Sequence, residues 1–339
     1  NEWSEIFLID GTRIEGTGSS INGTSIHTYL GWSVSLSDNG EKLAIGERGT
    51  VTLCDIGYNS TSTHHMYDNI RSSWREDDND PVGWWYGWSV SLSGDGGTLA
   101  VGGPRYDNNN DDGIVCISKV SSNKAVDHPK IHSAGATGHN RGRSVSMNYD
   151  GTFVAVYGGD HDDLAFVMIL GVALEEGSLT LSQLKLLPTD KNAGTNTNAD
   201  TNTPDGTKFF TEAAFNTTLS SPELNATDVN VSISGDGTIV AIGDPRYVDI
   251  NGKVRGQVHV YTYASNAWTL LGVPIIGEYD DGYFGTAVSL IGSGSTTDPY
   301  TLAVSSKGVG IVNIYQWINS VWTEIGNGIQ GPPDDEFGT

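Results

Sequence analysis

Residues 87–102 read GWSVSLSGDGGTLAVG, and the pattern returns as GWSVSLSDNGEKLAIG from Gly31, GRSVSMNYDGTFVAVYG from Gly142, DVNVSISGDGTIVAIG from Asp228 and GTAVSLIGSGSTTDPYTLAVS from Gly285. Five copies, the first two opening 56 residues apart, mark a repeat architecture whose units bury a core against their neighbours. Within each copy small and apolar residues alternate, as in Ser33, Val34, Ser35 and Leu36. A turn such as Gly94-Asp95-Gly96 follows, then a second apolar run, Leu99-Ala100-Val101. Alternation, turn and second run predict a tight β-hairpin. Small side chains on one side of the first strand let neighbouring strands crowd together, which suits the innermost strand of a propeller blade.

Working outward, a third strand follows as GTVTLC from Gly49, GIVCIS from Gly113, GQVHVY from Gly256 and GIVNIY from Gly310, with an aberrant copy around Phe166 to Ile169. A fourth opens on Trp and closes on Gly, as WTLLGVPIIG from Trp268 and WTEIGNGIQG from Trp322, with a weaker relative at Trp74. Four strands per unit predict an all-β fold, a β-propeller of four-stranded antiparallel blades. Five complete repeats are expected at 31–86, 87–141, 142–227, 228–284 and 285–336. Partial blades are expected at both ends, a fourth strand and linker in 1–30 and the start of a further first strand in 337–339, so the chain reads as a propeller segment. The third repeat carries an insertion, 189–225, whose Thr-Asn-Asp-Gly composition predicts a long exposed loop.

Composition agrees. The chain has 44 Gly in 339 residues and 17% charged residues, which favours turns over long helices. No run of 18 apolar residues exists, so no membrane insertion by a helix is expected. A formal charge of −23 repels nucleic-acid phosphates, leaving neutral, basic or cation-bridged partners.

The apolar strand ending Ala-Val-Gly-x-Pro, the polar loop and the following Gly-x-Val-x-Val-Tyr resemble the FG-GAP repeat of integrin-α-type propellers. They are especially similar to the SVSLS-DG-LAVG repeats of large surface proteins of algae and other microbial eukaryotes. GGPRYDNNNDDGIVCI from Gly102 and GDPRYVDINGKVRGQVHVY from Gly243 are the best copies, and Phe-Gly-Thr at 284–286 and 337–339 echoes the family's Phe-Gly. The resemblance covers nearly all of the chain outside the insertion, and it implies a calcium-binding loop between the first two strands. Here that loop is reduced to turns such as Gly94-Asp95-Gly96 and Gly235-Asp236-Gly237, each with one carboxylate. A hard cation needs several oxygen ligands, so the local calcium candidate is instead Asp107, Asn109 and Asp111, against the alternative of a plain polar turn.

Candidate chemistry is otherwise sparse. Histidines are scattered without metal-ligand spacing, and the serine of GWSVSLS recurs in copy after copy, as a structural serine does and a nucleophile elbow does not. Trp84 and Trp85, beside Tyr86 and Trp88, are candidate ligand contacts, since indole faces match pyranose rings, with packing between blades as the alternative. Cys54 and Cys116 are the only cysteines and fall in equivalent strands of adjacent repeats, allowing one disulfide. N-glycosylation sequons stand at Asn22, Asn59, Asn216, Asn225 and Asn230, the last inside an expected strand. N-linked glycans and an extracellular or cell-surface location are therefore expected.

The expectation from sequence is a noncatalytic extracellular structural or adhesion glycoprotein, not an enzyme, and the repeating subunit of a surface coat or fibril. It would associate with itself or with other extracellular proteins and glycans. A carbohydrate-binding, lectin-like propeller is the alternative, and an enzyme with its active site in the propeller funnel the third reading.

Overall fold

The computed structural model describes residues 31–47, 49–55, 85–104, 113–121, 124–126, 130–133, 142–159, 165–175, 178–186, 199–200, 208–210, 229–264, 267–295, 297–331 and 337. The described residues form five sheets, one for each repeat. The first holds β1 (Ser33–Leu36), β2 (Lys42–Glu47) and β3 (Thr50–Asp55) in that order. The second is built on β4 (Ser89–Leu92), β5 (Thr98–Gly103) and β6 (Ile114–Ser121), with β7 (Lys124–Val126) and β8 (Lys130–Ser133) both paired to β6. The third holds β9 (Ser144–Met147), β10 (Phe153–Gly159), β11 (Ala165–Glu175) and β12 (Ser178–Leu186). Two short strands of the insertion, β13 (Ala199–Asp200) and β14 (Lys208–Phe210), extend the second sheet, where β14 lies parallel to β8. The fourth sheet holds β15 (Asn230–Ile233), β16 (Ile239–Asp244), β17 (Gln257–Ala264), β18 (Ala267–Leu270) and β19 (Ile275–Ile276). The fifth holds β20 (Phe284–Ile291), β21 (Thr301–Ser306), β22 (Ile311–Ile318), β23 (Val321–Glu324) and β24 (Ile329–Gln330).

The chain is an all-β propeller. The SVSL strands β1, β4, β9, β15 and β20 each form the edge of a sheet, and these edges lie side by side in chain order. Two features depart from the sequence expectation. The fourth strand is broken in three blades, since β7 and β8, β18 and β19, and β23 and β24 pair in turn with one third strand. Pro274 carries no amide to continue a ladder, and Gly326 adopts φ of 81°, so in the fourth and fifth sheets the break falls where the ladder cannot run on. The insertion is not wholly a loop, because its Lys-Phe-Phe segment has the composition of a strand and pairs as one.

Apolar residues on facing sheets fill the space between blades. Ala44, Val51 and Leu53 of the first blade share a cluster with Val90 and Leu92 of the second. Ala155, Val167 and Ile169 meet Val231 and Ile233, and Ala241, Val258 and Val260 meet Val288 and Leu290. Each of these three junctions therefore joins an Ala of the second strand and its third-strand neighbours to the two apolar residues of the next SVSL strand.

The serines of that strand fix the blades' register. Ser35, Ser91, Ser146 and Ser232 accept hydrogen bonds from the backbone N–H of Leu92, Met147, Ile233 and Leu290, at 2.8, 2.9, 3.1 and 3.0 Å. The first serine adds a second bond: Ser33 Oγ and Ser89 Oγ donate to the carbonyls of Gly87 and Gly142, while Ser144 Oγ accepts from Val231 N–H. Inner-strand amides that point away from their own sheet are satisfied in this way by the preceding blade. The repeated serine is thus structural.

Candidate functional site

The propeller has two unlike rims. At one, the hairpin turns close on themselves: Ser93 Oγ and Gly97 N–H both donate to Asp95 Oδ1, at 2.6 and 2.8 Å, while Thr98 N–H donates to Ser93 Oγ. Asp236 receives Ser234 Oγ and Thr238 N–H in the same way. Backbone bonds from Asp38 N–H to Gly94 O and from Asp95 N–H to Tyr149 O join successive turns. The single carboxylate at the position where the family resemblance implies calcium is engaged by its own turn. No group of three metal-ligating side chains occurs among the described residues.

At the opposite rim the SVSL strands begin and the second strands end, and there the repeat position just before the first serine holds Trp32, Trp88 and Arg143 in three adjacent blades. These side chains form one row. The rings of Trp32 and Trp88 stand 4.5 Å apart between centroids, tilted by 46°, and the Arg143 guanidinium carbon lies 5.7 Å from the Trp88 ring. Trp85 packs on Trp88 from the preceding loop at 4.9 Å. Trp88 is half-buried among these neighbours, whereas Trp32 is 45% exposed. The row has an indole face at one end and a guanidinium at the other, suited to an apolar ring face and to a polarised or anionic oxygen.

Two buried carboxylates terminate second strands at this rim. Glu47 accepts a hydrogen bond from Thr52 Oγ1 at 3.0 Å. Asp244 is fully buried; its Oδ2 accepts from Gln257 Nε2 at 3.1 Å and its Oδ1 has no partner. Burial pushes the Asp244 carboxyl above its usual range, against the lowering effect of hydrogen bonds from Gln257 and the Arg246 backbone. His259 follows along the same face of β17, its Nδ1 also unpartnered, and burial holds its imidazole below the usual value.

Of the residues singled out from the sequence, Trp85 belongs to the rim row. Trp84, the calcium candidates Asp107, Asn109 and Asp111, and the sequons at Asn22, Asn59, Asn216 and Asn225 lie outside the described residues. Asn230 lies in β15, and its Oδ1 accepts Val288 N–H at 3.3 Å, taking the place of the first serine. An amide engaged between blades is poorly placed to carry a glycan. Cys54 packs with Ile45 and Leu43, and Cys116 lies in the cluster of Val90 and Leu99, so the two thiols occupy separate parts of the core. Sequence reading missed Arg143, although it fills the repeat slot of Trp32 and Trp88, and missed Asp244, whose burial no local pattern announces.

No protein-family model matches the chain, and no curated protein matches it. Solved propeller-like structures do. The periplasmic gluconolactonase of Pseudomonas aeruginosa is 13% identical, with a TM-score of 0.49 over 87% of this chain and 69% of that one. A Bacteroides fragilis protein provisionally named a 6-phosphogluconolactonase is 14% identical, with a TM-score of 0.45 over 94% and 73%. An Agrobacterium tumefaciens protein provisionally named TolB is 10% identical, with a TM-score of 0.41 over 86% and 79%. At such identities the likeness is one of architecture. It nevertheless corrects the expectation of a noncatalytic structural or adhesion module that is not an enzyme. That expectation took repeated serines and a binding scaffold as signs against catalysis, and proteins named as lactonases share the scaffold.

Proposed function

We propose that the chain is an enzyme that works at the stacked rim and hydrolyses a small sugar-derived lactone or ester. The observation supporting this reading is the row of Trp32, Trp88 and Arg143, an exposed indole set beside a guanidinium held over the next ring. An indole face matches the apolar face of a hydroxylated ring, and a guanidinium offers N–H donors to a carbonyl oxygen as it gains negative charge. A cyclic ester of a sugar acid uses both. The charge of −23 favours a neutral lactone over a phosphorylated one, because the field of the chain repels a dianion.

Hydrolysis adds water to the carbonyl carbon, breaks the acyl carbon–oxygen bond and yields a hydroxy acid, so turnover appears as acid release. In a pH-stat with unphosphorylated aldonolactones the wild-type chain is expected to exceed spontaneous hydrolysis. Arg143→Ala is expected to lower kcat/KM by about 100-fold or more, with the far-UV circular dichroism unchanged. Acid release at the background rate with every aldonolactone tried overturns the reading.

The setting we infer is extracellular, supported by the sequons at Asn22, Asn59, Asn216 and Asn225, and a glycosidase-induced mass shift of native material tests it. Kinship with FG-GAP-type repeats is likewise our reading, supported by the motifs at Gly102 and Gly243.

A further inference from the structure

We propose that Asn327 is a site of spontaneous chemical modification, at which the side-chain amide is lost through attack by the Gly328 nitrogen and the residue becomes aspartate or isoaspartate. Asn-Gly steps occur in the chain at Asn22, Asn39, Asn251 and Asn327, and the last three lie among the described residues. At such a step the side-chain carbonyl carbon is within easy reach of the next backbone nitrogen, because glycine has no Cβ to block the approach and its backbone rotates freely. Sequence makes the three steps alike, and all three asparagines are exposed. Hydrogen bonding separates them.

Asn39 stands in the hairpin turn of the first blade, at the repeat position of Asp95. Its Oδ1 accepts from Ser37 Oγ and Glu41 N–H at 2.7 and 3.0 Å, its Nδ2 donates to Glu41 Oε2 at 3.0 Å, and Gly40 N–H donates to Ser37 O at 2.8 Å. Asn251 lies at the tip of the loop between β16 and β17. There Gly252 N–H donates to Asp249 O at 3.0 Å, while Asn251 N–H and Lys253 N–H donate to Asp249 Oδ1 at 2.8 and 2.9 Å. In both turns the attacking nitrogen is held by its own hydrogen bond, so the turn must open before that nitrogen can swing to the side chain. Asn327 lies between β23 and β24, flanked by Gly326 and Gly328 at φ of 81° and 73°. Neither its side-chain amide nor Gly328 N–H makes a hydrogen bond among the described residues.

The position stays open when a blade follows. Asn327 has the place in the fifth blade that Val273 has in the fourth. The fifth blade packs on the fourth, with Trp322 Nε1 donating to Leu271 O at 3.0 Å, yet Val273 is 77% exposed. Chain packed against the fifth blade in the same way leaves Asn327 in water.

The reaction needs only water and is independent of the chemistry at the rim. Gly328 N loses its proton and bonds to Asn327 Cγ, the Cγ–Nδ2 bond breaks, and ammonia leaves with that proton. Water then opens the cyclic imide at either carbonyl, giving aspartate or isoaspartate, each with an added negative charge. Isoaspartate also lengthens the main chain by a methylene just ahead of Ile329, which pairs with Val312 of β22, so that pairing loosens.

The test is peptide mapping by mass spectrometry after incubation of the intact chain at mildly alkaline pH, with isoaspartate read by methyltransferase labelling. In the folded chain Asn327 is expected to convert about tenfold faster, or more, than Asn39 and Asn251. In guanidinium the three are expected to converge, since unfolding frees Gly40 and Gly252. Asn327→Gln, at an exposed position away from the rim row, is expected to keep its amide over the same time with thermal unfolding unchanged. Equal rates at the three steps of the folded chain overturn the proposal, as does an Asn327 peptide that stays intact while the unfolded chain converts. Loss of the amide from Asn327→Gln at the wild-type rate would mean direct hydrolysis without the imide and would equally overturn it.

Discussion

Asp244 and Gln257 face each other across β16 and β17, and His259 follows two residues along the same strand. Asp244 is buried and His259 half-buried, and desolvation moves their pKa values in opposite directions. A carboxyl raised in the folded state contributes stability at pH below its unfolded pKa and loses it as pH rises through the folded value. Asp244→Asn, which cannot ionise, is therefore expected to stabilise the protein at pH 7 by about 1–3 kcal/mol, with the gain shrinking toward pH 4. The imidazole lowered in the folded state behaves conversely: its contribution is present above the unfolded value near 6.5 and is lost as pH falls. His259→Gln should flatten the fall in stability between pH 7 and pH 5. Denaturant midpoints across that range check both, and a wild-type-like pH profile in either variant contradicts the burial argument for that residue.

The serine belt turns a sequence motif into a spacing between elements. Ser232→Ala leaves the buried Leu290 N–H without an acceptor and is expected to cost about 1–3 kcal/mol in guanidinium unfolding. Ser289→Ala, at the same repeat position on an open face, is expected to cost less than about 0.5 kcal/mol in the monomer. Equal costs would contradict the belt. Close approach of the blades explains the glycine that ends the second-strand run in three blades, Gly46, Gly102 and Gly243: a Cβ on Gly102 would stand 2.0 Å from the carbonyl oxygen of Gly142. Since that oxygen is backbone and also accepts from Ser89, Gly102→Ala is expected to push the second and third blades apart and cost about 3 kcal/mol or more, measured as a lowered midpoint or failure to fold.

The inner hairpins were legible in the sequence because alternation, a Gly-containing turn and a second apolar run coincide in each copy and propensity agrees with packing. The broken fourth strands were less so. Pro274 marks one of the breaks, but the Trp-to-Gly frame around it reads as one strand. For the site, Trp85 was visible as one member of an aromatic run, while Arg143 was hidden in a slot whose earlier copies are tryptophan. Burial of Asp244 depends on Gln257 and on the neighbouring blade, which no spacing rule brings together. Asn230 shows the converse, a sequon whose side chain the fold engages elsewhere.

At the scale of the whole molecule, one rim is closed by short turns that consume their own polar groups, and the other gathers exposed and charged side chains from three blades. On the proposed reading, that asymmetry leaves the Trp32–Arg143 rim as the side from which a ligand is met. The stacked row ties the reading to three residues distant in sequence, Trp32, Trp88 and Arg143, each placed by the same step of the repeat. Replacing Trp32 with Ala removes the exposed indole while leaving Trp88 packed on Trp85, and it is expected to weaken ligand binding about 10-fold or more with little loss of stability. Tryptophan fluorescence titration with an aldonolactone measures it.

The most direct test of the rim as the working site is a crystal structure of the chain soaked with an aldonate, the product of lactone hydrolysis. The arrangement predicts the sugar chain lying against Trp32 with its carboxylate on the Arg143 guanidinium. Well-ordered aldonate bound at the turn rim or between blades, with the Trp32 and Arg143 surface bare, would contradict it.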